Sequence, residues 1–476
     1  MPHAGRAHGR EAVKCRLGIL ALFLCGCSGD ANPGRPNIIL ISVDTLRADH
    51  LGCYDYGRDT SPFLDSLAAD GVVFENAFAQ SSWTLASHMS LFTARYPHNH
   101  GVETPSRSLS ANVPTLTEIL KTHGYHTFGF VTWAFLESAY GFGRGFDLYR
   151  QFVPAPDKRD VEHAEHVTRA DQAVDAILEG LGDGVRSPFF LFAHLFDPHL
   201  DYAPPAEHVR RFDPQASEDL TLGMHTTLQP YILPIHEEPE RIPPAMLQRV
   251  TALYDGEIHF TDTQLARLFE ALRKRDMLED TLIVVTSDHG EELDDHGSME
   301  GHGWTLYDEI LHVPLIVKFP DNSHAGTRIQ TIVEGIDIAP TILEFAGIEA
   351  PGSFDGKSLL AFLDPTAAPS EGRTFSSSER FLSRWSVRTE RYKLIRSQRK
   401  TPRLPYEPPP FEFFDLAVDP GENLNLYGTR NPQIRVLQAY LDAWISTRRQ
   451  DVATEKMELD EAQRNRLRAL GYSDED

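Results

Sequence analysis

Two apolar, strand-like runs in this chain each end in an acidic residue. Leu282–Thr286 passes directly into Ser287-Asp288-His289-Gly290-Glu291-Glu292, and Asn37–Val43 (Asn-Ile-Ile-Leu-Ile-Ser-Val) runs straight into Asp44. In an open α/β sheet the carboxyl ends of the strands form the edge where ligands bind. Carboxylate oxygens and an imidazole nitrogen delivered to that edge are donors for a divalent cation. Asp44, Asp288 and His289 therefore read as ligands of one metal ion held between two strands. The donor set is compatible with Ca, Mg, Mn or Zn.

A third element lies between them. In Ser81-Ser82-Trp83-Thr84-Leu85-Ala86-Ser87-His88, Thr84 stands at the start of a helix predicted to run to about Ala94. Free amides and partial positive charge at a helix N-terminus suit an anionic substrate or an alkoxide. Thr also serves well as a plain N-cap, and this window alone allows either role.

The elements that must position these residues alternate as strands and helices from Asn37 onward, the pattern of a sheet covered on both faces. Thr60-Ser61-Pro62 opens a helix through Ala69. Asn112–His123 reads as a helix, Tyr125–Val131 and Phe189–Leu195 as strands, Thr251–Arg275 as a helix and Val313–Phe319 as a strand. Asp337 is expected to cap a helix that ends at Gly347. Pro204–Pro244 reads as an irregular insertion over the active edge. The composition changes after about Asp364, where Trp385–Arg396 and Phe411–Leu416 alternate like antiparallel strands. The fold expected is a three-layer α/β/α sandwich with a large, mostly parallel sheet, plus a smaller C-terminal α+β subdomain with a short antiparallel sheet. The catalytic domain would span 37–365, the subdomain 366–450, and 451–476 would form a tail whose Leu459–Leu470 stretch is an amphipathic helix.

Asp plus Glu number 69 and Lys plus Arg 45, a net charge of −24. A chain this acidic carries no nucleic-acid footprint. Arg6, Arg10, Lys14 and Arg16 precede an apolar stretch, Leu17–Cys25, too short to span a bilayer. It ends in Leu24-Cys25-Gly26-Cys27, which resembles a bacterial lipoprotein signal with Cys27 as the lipidated residue. An ordinary secretory signal is the alternative. Ser28–Pro36 then reads as a tether, and the protein is expected at the periplasmic or outer-membrane surface. With Cys27 acylated, Cys53 is left without an intrachain partner.

Asn37–Arg47, Trp83–Gly101, Asp288–Gly297, His302–Val317 and Val333–Leu360 together resemble the sulfatase family of the alkaline phosphatase superfamily. Val387–Ile395 and Phe414–Leu426 extend the likeness into that family's second domain. The chain departs from the family pattern at the nucleophile. Sulfatases carry a formylglycine made from Cys or Ser in a Cys/Ser-x-Pro-x-Arg window, where this chain has Thr84-Leu85-Ala86-Ser87-His88. Oxidation of Thr would give a ketone, so no formylglycine is expected. Thr132-Trp133-Ala134 replaces a Gly-Lys-Trp-His segment, and Thr45 stands where many sulfatases have Asp. Lipoteichoic-acid synthases and nucleotide pyrophosphatase/phosphodiesterases are similar in using an unmodified Thr.

The resemblance implies that Thr84 is a metal-activated nucleophile and itself a metal ligand. His199 and His302 would contact the ester oxygens or donate a proton to the leaving oxygen, and His88 would stand in for the Arg. A second cation on Asp197, His199 and His302 would give a two-metal site. Sulfate or phosphate esters of a small molecule, lipid or glycan are the expected substrates. Phosphoryl chemistry fits Thr better, because a sulfo-Thr lacks the collapse to aldehyde open to a formylglycine hydrate. The alternatives are a phosphoryl transferase acting on an envelope lipid or glycan, and an inactive, surface-anchored binding module. Oligomeric state is not legible.

Overall fold

The computed structural model describes residues 34–152, 168–182, 184–200, 202–216, 228, 231, 242–299, 302–364, 372–380, 382–398, 408–447 and 454–457. Cys27, the tether up to residue 33 and the predicted helix Leu459–Leu470 lie outside the described residues.

The main sheet is built from β1 (Asn37–Val43), β2 (Val72–Phe78), β3 (His126–Val131), β4 (Leu148–Gln151), β5 (Phe189–Leu195), β6 (Thr281–Thr286), β7 (Leu315–Lys318) and β8 (Thr327–Glu334). Its order is β8-β2-β7-β6-β1-β5-β3-β4, with the short strand His312–Val313 paired beside β2. β1 pairs in parallel with β5 on one side and β6 on the other, so Ser42 lies level with both His194 and Thr286. β7 alone of the long strands runs against its neighbours. β1, β5 and β6 are buried along their whole length, which accounts for the predominance of Val, Ile, Leu and Phe in them.

Side chains of β1 alternate between two cores. Ile38 and Leu40 pack with Leu85, Met89 and Phe92 of the helix Thr84–Thr93 and with Leu116 and Ile342. Ile39, Ile41 and Val43 face Leu64, Val174, Ile177, Leu265 and Leu268 on the opposite side. Helices Pro62–Ala69, Ala170–Leu181 and Pro244–Lys274 cover that second face. The result is the expected α/β/α layering.

Several elements differ from their sequence-based bounds, each for a local reason. Pro314 supplies no amide, and the predicted strand Val313–Phe319 divides there into His312–Val313 and β7. The helix expected over Asn112–His123 starts only at Leu116, because Thr115 and Glu118 form a capping box. The helix expected from Thr251 begins earlier, with Pro244 at its first position. Part of the Pro204–Pro244 insertion is helical, over Ala206–Phe212. The Asp337 carboxylate accepts the amides of Glu334 and Lys357 at 3.0 and 2.7 Å, so it braces a turn and does not cap the helix Ile338–Phe345.

The C-terminal sheet holds β9 (Arg373–Ser378), β10 (Ser383–Thr389), β11 (Tyr392–Gln398) and β12 (Phe411–Asp415), all antiparallel in that order. Trp385–Arg396, read as one strand, is a hairpin turning at Glu390-Arg391. One face of this sheet packs Val387, Leu394 and Phe413 against the helix Gln433–Ser446. The other face meets the main sheet's loops. Ser376 Oγ donates to the Ala79 carbonyl at 2.6 Å, the Ser377 amide to Gln80 at 3.0 Å, and Ser378 Oγ to Gly303 at 3.1 Å. The fully buried Lys393 Nζ reaches Asp308 at 2.8 Å and Glu422 at 2.9 Å.

Candidate active site

β1 and β6 end side by side, which brings Asp44 and Asp288 together. Ligand atoms of Asp44, Asp288 and His289 all lie within 4.8 Å of one another. His289 Nε2 is 3.3 Å from Asp288 Oδ2 and 3.9 Å from Asp44 Oδ1. His289 Nδ1 faces the Gly290 carbonyl at 2.9 Å. A carbonyl only accepts, so Nδ1 carries the proton and Nε2 keeps its lone pair for the site.

The turn after β1 is strained. Thr45 has φ of 52°, a left-handed conformation unusual for a β-branched residue. It is held by Tyr254, whose hydroxyl donates to the Thr45 carbonyl at 2.6 Å, and by Ser287 Oγ, which accepts the Leu46 amide at 3.0 Å.

Three facts test whether a divalent cation fits these residues. All three side chains are buried. Asp44 Oδ1 and Oδ2 and Asp288 Oδ2 have no hydrogen-bond partner among the described residues. Burial pushes the Asp44 carboxyl up to about 8, and burial followed by the charge of Asp44 pushes Asp288 well above the carboxylate range. Buried, orphaned carboxylates beside a neutral imidazole are costly on their own and suited to a cation. The donor set fits.

Thr84 is the first residue of its helix. Trp83 occupies the N-cap position and makes no side-chain capping bond, so Thr84 does not serve as the cap. Its Oγ1 lies 3.4 Å from His289 Nε2. Ser87 Oγ, one turn on, donates to the Asp288 carbonyl at 2.6 Å and fixes this helix to the end of β6. His88, fully buried, stands 3.0 Å from the Thr84 carbonyl, 3.4 Å from Asp288 Oδ2 and 2.9 Å from Ser42 Oγ. It thus braces the nucleophile turn against β1.

His199 and His302 also reach this site. Their rings meet at 4.9 Å, and His302 packs on His289 at 5.1 Å. His199 Nδ1 donates to the Leu200 carbonyl at 2.6 Å, and burial holds its imidazole well below the ordinary range. His302 Nδ1 donates to Glu291 Oε1 at 2.8 Å.

The second-cation set of Asp197, His199 and His302 is not gathered. Asp197 accepts the amide of Ala170, the first residue of the helix Ala170–Leu181, and lies beside Glu257. That helix start takes the carboxylate away from the two histidines. Glu291 and Glu292, in an acidic loop that its charge alone would place in solvent, are fully buried. Asp295 of the same loop pairs with Arg47 at 2.7 Å.

Sequence reasoning misses His194. Its Nε2 is 3.3 Å from Asp44 Oδ2, and its Nδ1 is 3.0 Å from Thr132 Oγ1. A lone polar residue inside Phe-Phe-Leu-Phe-Ala-His-Leu is the signal that points to it.

Comparison with known proteins agrees with this arrangement. Residues 36–348 match the sequence model described as Sulfatase, and 300–451 match the C-terminal region of N-sulphoglucosamine sulphohydrolase. An N-acetylglucosamine-6-O-sulfatase of Bacteroides thetaiotaomicron is 23% identical, over 87% of this chain and 86% of its own. A multifunctional alkaline phosphatase superfamily protein of Trinickia caryophylli is 26% identical, over 83% of this chain and 91% of its own. The crystal structure of the phosphonate monoester hydrolase of Agrobacterium radiobacter superposes with a TM-score of 0.68 at 22% identity, over 90% of this chain and 98% of that one. The chain belongs to the sulfatase family of the alkaline phosphatase superfamily, as a hydrolase of sulfate or phosphate esters.

Proposed function

We propose that the protein cleaves phosphate esters of a glycan or small molecule with the Thr84 hydroxyl as nucleophile, and that it does so outside the cytoplasm, anchored through Cys27. The observation that carries the reading is the 3.4 Å approach of Thr84 Oγ1 to His289 Nε2, beside the orphaned carboxylates of Asp44 and Asp288. A divalent cation on Asp44, Asp288 and His289 supplies Lewis-acid character that lowers the pKa of an adjacent hydroxyl.

The residues divide the remaining work. The first-turn amides of Thr84–Thr93 present partial positive charge to the non-bridging oxygens. Thr84 Oγ bonds to phosphorus as the bond to the leaving oxygen breaks, and the hydroxyl proton departs to solvent. The leaving oxygen takes a proton from His302, which Glu291 orients through Nδ1. Water then attacks phosphorus and passes its proton to His302, the bond between phosphorus and Thr84 Oγ breaks, phosphate leaves, and Thr84 Oγ regains its proton from solvent. His88 takes no part in bond making; it holds the Thr84 turn.

Thr supports this phosphoryl cycle without modification, whereas a sulfo-Thr has no aldehyde to collapse to. The fold shared with phosphonate monoester hydrolase accords with phosphorus chemistry on this scaffold. Protein lacking residues 1–27 tests the reading with 4-nitrophenyl sulfate, 4-nitrophenyl phosphate and bis(4-nitrophenyl) phosphate, alongside Thr84→Ala. Phosphate-ester turnover lost in Thr84→Ala supports it. Sulfate release that survives the substitution overturns it.

A further inference from the structure

The C-terminal sheet brings hydrogen-bond donors next to Trp83 and Gly303, the chain neighbours of Thr84 and His302. Arg380 follows β9, and its guanidinium carbon lies 5.5 Å from the centre of the Trp83 ring, one residue before Thr84. Its Nη1 lies 2.7 Å from where a Cβ of Gly303 would stand, next to His302. Gly303 is fixed there by its amide, which donates to the Ser82 carbonyl at 2.6 Å, and by Ser378 Oγ on its carbonyl. Gly303 has φ of 80°, so the position favours glycine twice over, for conformation and for room beside Arg380. The Arg380 charge is felt at His199, where it adds to burial and His302 in disfavouring the imidazolium.

Arg384 lies on the same face of the sheet as Ser378, whose hydroxyl bonds the Gly303 carbonyl. It pairs in register with Ser378 across β9 and β10, and cross-strand partners point to the same face of a sheet. Arg384 is only 1% exposed, and its Nε and Nη1 have no hydrogen-bond partner among the described residues. Trp83 Nε1, also 1% exposed, has no acceptor among them. Both groups are donors only, with no acceptor capacity. Buried, unpartnered donors cost free energy unless an acceptor-rich ligand meets them. Guanidinia next to an indole suit a carboxylate, sulfate or phosphate.

The scissile group already has its own partners in the proposed reading, namely the cation cluster and the amides of the Thr84 helix. Two guanidinia stand in addition to these. The protein as a whole carries −24 and repels polyanions, so affinity for a second negative group must come from a local device.

We propose that Arg380 and Arg384, with Trp83 Nε1, form a subsite for a second anionic substituent, so that the substrate is an ester whose alcohol part itself carries a carboxylate, sulfate or phosphate. This inference rests on the site assignment above and narrows its substrate class. Arg380 is a binding residue here, and Arg384 and Trp83 complete the donor set.

Calorimetry on metal-loaded protein in a Thr84→Ala background separates this inference from the nucleophile assignment, because binding is read without turnover. The probes are glucose 6-phosphate and glucose 1,6-bisphosphate. The bisphosphate is expected to bind roughly tenfold or more tightly, as one good charged contact contributes. In Arg380→Ala the two ligands are expected to bind within about twofold of each other, and Arg380→Lys restores part of the preference. Equal affinities without the Arg380 substitution, or a preference that persists in Arg380→Ala, overturn the subsite. Failure of the nucleophile assignment shows separately, as turnover surviving in Thr84→Ala alone.

Discussion

His194 Nε2 stands 3.3 Å from Asp44 Oδ2, across the parallel pair formed by β5 and β1. The imidazole is fully buried, and Thr132 Oγ1 lies 3.0 Å from its other nitrogen. It therefore packs directly against one carboxylate of the cation cluster. Partners of this kind tune metal affinity through ligand orientation. His194→Ala is expected to weaken divalent-cation binding about 10- to 100-fold with the fold retained, as measured by titration calorimetry and circular dichroism. Unchanged cation affinity would remove His194 from the site.

Gly290 follows His289 directly, and a Cβ at this position would collide with the backbone carbonyl of Glu309. The Gly290 amide also donates to the Ile310 carbonyl at 2.7 Å, so neither chain can withdraw freely. Gly290→Ala is expected to cost about 1–3 kcal/mol of stability through overpacking. It should lower kcat as well, because His289 is displaced. A variant with wild-type Tm and kcat would contradict both effects.

Lys393 is fully buried between Asp308 and Glu422, and Arg388 adds a second bond to Asp308 at 2.9 Å. Removing one partner of such a group strands the others in low dielectric. Lys393→Met is expected to lose about 3–5 kcal/mol in chemical denaturation. A loss under about 1 kcal/mol, the range of an exposed pair, would show that water reaches the cluster.

His100 gives the pH dependence of stability a defined sign. Its Nδ1 accepts the Val102 amide at 3.0 Å, and burial depresses its imidazole to about 3. The unfolded chain takes up a proton below about 6.5 while the folded chain stays neutral. The stability is complete above pH 6.5 and falls between 6.5 and 3 as acid favours the unfolded state. Replacing His100 by Asn, which does not titrate, is expected to reduce the slope of unfolding free energy between pH 5 and 6 by about 1 kcal/mol per pH unit. An unchanged slope would assign the acid sensitivity to other histidines.

The proposed Cys27 anchor predicts that cells fed labelled palmitate incorporate it into the full chain, and that Cys27→Ala abolishes the label. Label retained in that variant would rule the anchor out.

Much of the site is legible in the sequence. Asp44, Asp288 and His289 follow apolar runs that can only be central parallel strands, so their ends have to meet at one edge. The place of Thr84 at a helix start is legible, while its proposed role as nucleophile rests on the family resemblance. Residues whose place depends on packing between distant elements are not. His194 lies within a uniformly buried strand, where no alternation separates a core histidine from one facing a carboxylate. Asp197 reads as a second-cation ligand because no local pattern reveals that the start of the helix Ala170–Leu181 claims its carboxylate. Arg380 and Arg384 gain meaning only from how the small sheet docks, and no periodicity encodes that docking. The burial of Glu291 and Glu292 is not legible either, because charge alone does not disclose the buried His302 beside Glu291.

The three serines at the end of β9 bond Ala79, Gln80 and Gly303, the first two just ahead of Trp83-Thr84 and the third just after His302. One short row of hydroxyls and amides thus joins reactivity and selectivity into a single inheritance. A chimera that imports another relative's C-terminal lobe keeps its chemistry only if the incoming strand brings an equivalent stitch, so in this scaffold a change of diet is limited by a seam far shorter than the lobe exchanged.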